Sequence, residues 1–132
     1  MIITLDMKSS VPIYVQLRNS VVLGIGKGEL ALGQCLPTVR QMAEDIGINA
    51  MTVNKAYAML KADGYIVIDR RHGATISTDI SASDDFRAKT QNELELLACE
   101  TAISGISKSE FIALCASAFD AINIKQNEAA LI

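Results

Sequence analysis

The 132-residue sequence has no tryptophan, a single histidine and two prolines, and its aromatic content is only 5%. No hydrophobic run reaches the roughly 18 residues that a membrane-spanning helix needs. The N-terminus also lacks the basic and then apolar layout of a signal peptide. We therefore expect a cytoplasmic protein with no membrane partner.

The three cysteines are an odd and widely spaced set, which excludes a disulfide framework. With His72 as the sole histidine they also offer no zinc site, so we expect no metal and no cofactor. We predict reduced, packed thiols at Cys35, Cys99 and Cys115.

Sequence patterns of enzymes are missing too. The chain has no nucleophile elbow, no phosphate-cradling glycine loop with a lysine and no constellation of carboxylates, and one histidine cannot supply a base beside a metal. The acidic residues Glu93, Glu95 and Glu100 are typical of a solvated helix face. We therefore expect the protein not to be an enzyme.

Half of the residues are hydrophobic and a fifth are charged, which is the composition of a folded globular protein. The net charge of −3 is unevenly divided. Residues 1–78 carry eight Lys or Arg against six Asp or Glu, a net of +2, whereas residues 79–132 carry four against nine, a net of −5. This asymmetry indicates that the two halves face different partners.

Three segments before Gly64 have apolar residues at helical spacing. The first runs from Pro12 to the glycines near residue 26. The second begins after Thr38, a capping residue with Gln41 three positions later, and the third begins after Asn49. The residues predicted to be buried are Ile13, Leu17, Val21 and Ile25, then Val39, Met42, Ala43 and Ile46, then Val53, Ala56, Tyr57 and Leu60. Because only residues 47–50 separate the last two helices, the pattern predicts a helix-turn-helix.

Two β-type runs, residues 65–68 and 74–78, flank a basic turn that contains glycine. A hairpin directly after the third helix is a wing. A further short β-type run covers residues 2–5. Residues 1–78 are therefore predicted to be a winged helix-turn-helix domain, and the fold class is mainly α with a small β-wing.

Residues 79–132 form a separate helical region in this interpretation. A polar stretch leads into two amphipathic helices that Gly105 separates, and Ser107 with Glu110 resembles a capping box at the second start. Two helices cannot bury their apolar faces alone, so we predict a symmetric homodimer. The predicted dimerisation residues are Phe86, Leu94, Leu97, Phe111, Leu114, Cys115, Phe119 and Ile122.

The segment LPTVRQMA at residues 36–43, followed by TVNKAY at residues 52–57, resembles the GntR family of bacterial regulators, as does the helix start PIYVQL at residues 12–17. The short two-helix tail resembles the YtrA subfamily. The resemblance implies a dimeric repressor of double-stranded, inverted-repeat operator DNA, with its recognition helix in the major groove and its wing at the minor groove. It leaves open whether an effector ligand exists.

The resemblance also implies which residues contact DNA. They are Thr38 and Arg40; Asn49, Ala50, Met51, Thr52, Asn54 and Lys55 on the recognition helix; and Arg70, Arg71, His72 and Gly73 on the wing. Many family members have arginine at the positions of Ala50 and Asn54, and a glycine at that of Arg71. The operator is therefore expected to differ from the common family sequence.

Two alternatives remain open at this point. A winged helix can serve as a protein-interaction module, which the low positive charge of residues 1–78 would suit. Alternatively, the dimer interface near Phe111, Cys115 and Phe119 could hold an apolar effector and make the protein a small-molecule sensor.

Overall fold

A computed structural model describes residues 3–127 of the chain. Within them are five helices and one two-stranded antiparallel sheet, which confirms the predicted fold class. The elements are α1 Ile13–Gly26, α2 Val39–Ile46, α3 Ala50–Ala62, β1 Ile66–Asp69, β2 Gly73–Ile76, α4 Asp84–Ile103 and α5 Lys108–Asp120. The described residues divide into two units, one made of residues 3–80 and 123–127 and the other of Ser81–Ile122.

The core of the first unit lies where α3 packs against α1, α2 and β1. Nine of the twelve predicted core positions are buried there, and Ile13, Val39 and Ile46 are half-buried. The wing contributes Ile66 and Ile76, and the loop before α2 contributes Leu30 and Leu36. A continuous apolar core thus holds the three helices and the wing together.

Side-chain caps define the helix-turn-helix. The Thr38 hydroxyl accepts a hydrogen bond from the Gln41 N–H (3.1 Å), and the Asn49 carboxamide oxygen accepts one from the Met51 N–H (2.7 Å). Gly47 ends α2 in the left-handed conformation with φ +70°, which glycine adopts without a steric penalty. Only half of the capping box that Thr38 and Gln41 could form is present: the Gln41 amide N–H donates to the Asp45 carboxylate, and the Gln41 oxygen does not accept from the Thr38 N–H.

The wing strands pair in register from Ile66 opposite Ile76 to Asp69 opposite Gly73. The loop before α2 bonds to the other side of β2, with the Leu36 N–H donating to the Ala74 carbonyl at 2.8 Å. The β-type run predicted at residues 2–5 is wrong over its described residues 3–5, which pair with no strand. Instead Ile3 packs against the core.

After α5 the chain returns to the first unit. The Asn123 N–H donates to the Gly26 carbonyl (2.7 Å), the Leu32 N–H to the Lys125 carbonyl (2.8 Å) and the Asn127 N–H to the Leu32 carbonyl (2.9 Å). Residues 123–127, which we call the return segment, thus lie along the loop that follows α1. No motif in the sequence indicated this contact.

Serine caps begin both helices of the second unit, as Ser83 accepts from the Phe86 N–H and Ser107 from the Glu110 N–H. Neither α4 nor α5 has a buried residue. None of the described helices combines the length and apolar character that crossing a membrane would require.

The three cysteines are free thiols, but the prediction that they are packed is wrong. Cys35 lies on the surface loop before α2. Cys99 and Cys115 lie on α4 and α5, where no other part of the described chain buries them.

Candidate DNA-binding surface

One side of α3 faces the core and the other faces solvent. Its buried residues are Val53, Ala56, Tyr57 and Leu60, and its exposed residues include Ala50, Met51, Asn54 and Lys55. Met51 is 80% exposed. Since Met51, Asn54 and Lys55 follow the helical spacing of three and four residues, they form one solvated stripe along α3. The half-buried Thr52 lies beside this stripe.

Tyr57 links α3 to the start of α2. Its ring is buried in the core and its hydroxyl donates a 2.7 Å hydrogen bond to the Pro37 carbonyl, directly before the cap residue Thr38. Burial raises the pKa of Tyr57 to about 12, because the ionised phenol would be poorly solvated there. The bond fixes the N-terminus of α2 against the recognition helix. The sequence predicted Tyr57 as core but gave no signal for this bond.

The caps change what two of the predicted contact residues can do. The oxygen of Asn49 accepts from the Met51 N–H, so one of its two lone pairs is committed to the helix cap. Bidentate recognition of adenine needs both the oxygen and the nitrogen. Asn54 is exposed and has no side-chain partner among the described residues, so it is better suited to read adenine than Asn49.

The two basic side chains of the helix-turn-helix, Arg40 and Lys55, have different surroundings. Arg40 on α2 is exposed and makes no ion pair within the described part of the chain. Lys55 on α3 is exposed, but its ammonium lies 4.0 Å from the centroid of the Tyr14 ring on α1, a cation–π contact. Both side chains are thus exposed, and neither positive charge is neutralised by a carboxylate among the described residues.

A carboxylate organises the tip of the wing. The side chain of Asp69 accepts hydrogen bonds from the backbone N–H groups of Arg71 (2.8 Å) and His72 (2.5 Å), and its second oxygen lies 3.3 Å from Nδ1 of His72. The bond from the His72 N–H is the largest cause of the lowered pKa of Asp69; desolvation opposes it, and the bonds from the His72 side chain and the Arg71 N–H lower the pKa further. Gly73 follows with φ +66°.

The guanidinium groups of Arg70 and Arg71 are exposed and have no side-chain partner in residues 3–127. The wing therefore presents two uncommitted positive charges on a turn that the pairing of β1 with β2 and the Asp69 carboxylate hold in place. Asp69 was missed by the sequence analysis, although an aspartate before a turn is a recognised signal for side-chain bonds to the following N–H groups.

The structure places the twelve predicted DNA-contact residues in the first unit, on α2, α3, the turn between them and the wing. It places the eight predicted dimerisation residues in the second unit, seven exposed and Phe111 half-buried. Three further large apolar residues of that unit are also exposed and were not predicted: Leu96, Ile103 and Ile112.

Comparison with known proteins matches residues 13–76, which span α1 to β2, to the family described as bacterial regulatory proteins, gntR family. The HTH-type transcriptional repressor YtrA of Bacillus subtilis (strain 168) is 40% identical over 75 residues, which are 57% of this chain and 58% of that protein. The chain spans about three fifths of the length of the more identical curated relatives.

Solved structures match over more of the chain. A transcriptional antiterminator from Listeria monocytogenes EGD-e aligns with 97% of this chain and 98% of its own, at 28% identity and a TM-score of 0.86. YtrA from Sulfolobus acidocaldarius, a GntR-family transcription factor, aligns with 78% of this chain and 99% of its own, at 31% identity and a TM-score of 0.64. The helix-turn-helix, the wing and these matches agree: the chain belongs to the GntR family of bacterial regulatory proteins.

Proposed function

We propose that the protein is a homodimeric repressor that binds an inverted-repeat operator, with α3 in the major groove and the wing at the adjacent minor groove. The observation that carries the proposal is the solvated stripe of α3, which ends in a positive charge and lies in the same unit as the uncommitted arginines of the wing. An α-helix fits the width of the major groove, and arginine suits the negative potential of a narrow minor groove.

The stripe on α3 is chemically mixed. Asn54 can pair with adenine, Lys55 can neutralise a phosphate or contact guanine, and Met51 offers an apolar surface to a thymine methyl group. Lys55 favours DNA over a protein partner, because the core of a protein interface is usually depleted of lysine. The backbone contacts that set the register would come from Arg40 and the wing.

Dimer formation is inferred from the second unit. Phe86, Leu94 and Leu97 are each about half exposed, and Phe119 is 74% exposed. A groove of about 310 Å³ runs beside Phe86, Thr90 and Leu94 on α4. An exposed apolar surface of this kind is characteristic of an association site, and a second copy of the chain would cover it on both protomers at once. The repressor role is supported by the relative that bears that name.

The direct test is selection of bound duplexes from a random-sequence pool by the full chain, followed by footprinting of the selected DNA. A two-fold symmetric dimer predicts two protected half-sites whose centres are about one helical turn apart, or a multiple of it. Enrichment of no sequence, or of a single undivided site, would contradict the proposal. Repression is tested by a reporter gene that carries the selected operator, where the protein should lower expression.

The dimer is tested separately by sedimentation velocity. We expect Leu94→Asp to shift the protein toward monomer, because a charge on the apolar face of α4 would have to be desolvated when a second copy covers that face. The matched control is Asn92→Asp on the same helix, which adds the same charge at an exposed polar position. If both variants and the wild type sediment as dimers, the dimer interface lies elsewhere.

A further inference from the structure

Tyr14 lies on α1, outside the helix-turn-helix, and its ring is half-buried against the core. Its face receives the ammonium of Lys55 from α3 at 4.0 Å from the ring centroid. This is one of two cation–π contacts in the described chain; the other places the Arg18 guanidinium 5.5 Å from the Tyr65 ring. Of the two, only the Tyr14 contact involves a residue of the solvated stripe on α3.

We propose that Tyr14 is a positioning residue for DNA binding, which holds the Lys55 ammonium where it meets the DNA backbone. The proposal rests on the function proposed above. A lysine side chain has four rotatable bonds, and fixing them when DNA binds costs conformational entropy. A ring that holds the ammonium before DNA arrives lowers that cost.

The contact leaves Lys55 able to act on a phosphate. Lys55 makes no ion pair within the described residues, so no carboxylate competes for its charge. The ammonium has three N–H donors, and a ring on one side leaves others directed to solvent.

The test uses the full chain and a duplex that the wild type has selected, with binding followed by fluorescence anisotropy. Tyr14→Leu should weaken binding about two- to five-fold, the range of a partly exposed cation–π contact. Tyr14→Phe keeps the aromatic face and should bind within two-fold of the wild type. In a Lys55→Ala background, Tyr14→Leu should have no further effect on the Kd.

Two readouts separate positioning from other roles. The methylene protons of Lys55 next to its ammonium should show a ring-current shift in the wild type and Tyr14→Phe, and lose it in Tyr14→Leu. The salt dependence of binding should fall in Lys55→Ala, which no longer neutralises a phosphate, and stay unchanged in Tyr14→Leu, which keeps the charge. Tyr65→Leu is the matched control: it removes the other cation–π contact and should leave the Kd unchanged.

Several outcomes would overturn the proposal. Equal affinity of Tyr14→Leu and the wild type for DNA would overturn it. A loss of affinity on Tyr14→Leu that persists in the Lys55→Ala background would overturn it too, because that result is expected if the substitution disturbs folding or if Tyr14 contacts DNA directly. If the wild type selects DNA and Lys55→Ala binds that DNA equally well, this inference alone is overturned. A wild type that selects no DNA overturns it together with the proposed function.

Discussion

Tyr57→Phe removes one hydroxyl from the core of the first unit and leaves the ring in place. The bond that disappears runs from that hydroxyl to the Pro37 carbonyl at 2.7 Å. A typical hydrogen bond contributes about 0.5 to 1.5 kcal/mol, and an acceptor left without a donor costs more. We expect the variant to be about 1 to 2 kcal/mol less stable near neutral pH, as measured by urea unfolding.

The same hydroxyl makes this difference depend on pH. Burial raises the pKa of Tyr57 from 10.0 to about 12, so the folded state holds its proton to a higher pH than the unfolded state does. Its contribution to stability is fully present below pH 10 and is lost as the pH rises toward 12. Proton linkage at this position lowers the free energy of unfolding of the wild type by about 1.4 kcal/mol between neutral pH and pH 11. The phenylalanine variant has no hydroxyl there and loses nothing from this position.

The stability curves of the two proteins should therefore converge near pH 11 and cross above it. All other groups are the same in the two proteins, so their contributions cancel in the stability difference. A stability difference that stays constant from pH 8 to pH 11 would refute the reasoning. So would a variant that equals the wild type at neutral pH, since the bond would then contribute nothing.

Three further predictions concern the return segment, the wing and the recognition helix. Gly28→Ala should destabilise the protein by about 1 to 3 kcal/mol in thermal unfolding, because φ is +83° and a Cβ there would overlap the Asn123 carbonyl oxygen. The control Gly26→Ala has open space and an ordinary φ, so it should leave the stability unchanged or raise it. Equal Tm values for the two variants would contradict this prediction. Because the pKa of Asp69 is lower in the folded protein than its unfolded value of 3.8, its stabilisation of the wing turn is present above pH 3.8 and is lost as the pH falls through the folded pKa. NMR of the turn amides should therefore show loosening only in acid, whereas Asp69→Asn should loosen the turn already at pH 7. Asn54→Ala should relax the preference for one base pair by about 1 to 3 kcal/mol, measured with single-mismatch duplexes; unchanged discrimination would remove Asn54 from base recognition.

Features that depend on neighbouring residues were predictable from the sequence. Thr38, Asn49 and Ser107 cap their helices through hydrogen bonds that span two or three residues, and the signal for each is contained in that short window. The buried side of α3 follows from helical periodicity alone. These local rules also gave the order of helices and strands in the winged helix.

Features that join distant parts of the chain were not predictable. Asn123 bonds to Gly26, and Tyr57 to Pro37, through backbone carbonyls, which carry no residue-specific signal. The contact of Lys55 with Tyr14 arises only because α1 and α3 pack together. The thiols were predicted to be packed because sequence statistics place cysteine inside, yet their exposure depends on which surfaces a single chain leaves uncovered.

The central claim, that the stripe on α3 and the wing bind DNA through its phosphates and bases, is tested most directly by the salt dependence of Kd on the selected duplex. We expect log K to fall linearly with log salt concentration for the wild type. The double variant Arg70→Ala/Arg71→Ala should bind more weakly and with a shallower slope, by about 0.9 for each phosphate that it no longer neutralises. The charge-matched control Lys8→Ala/Lys27→Ala should keep the wild-type slope. Binding that is insensitive to salt, or equal slopes for both double variants, would contradict the account.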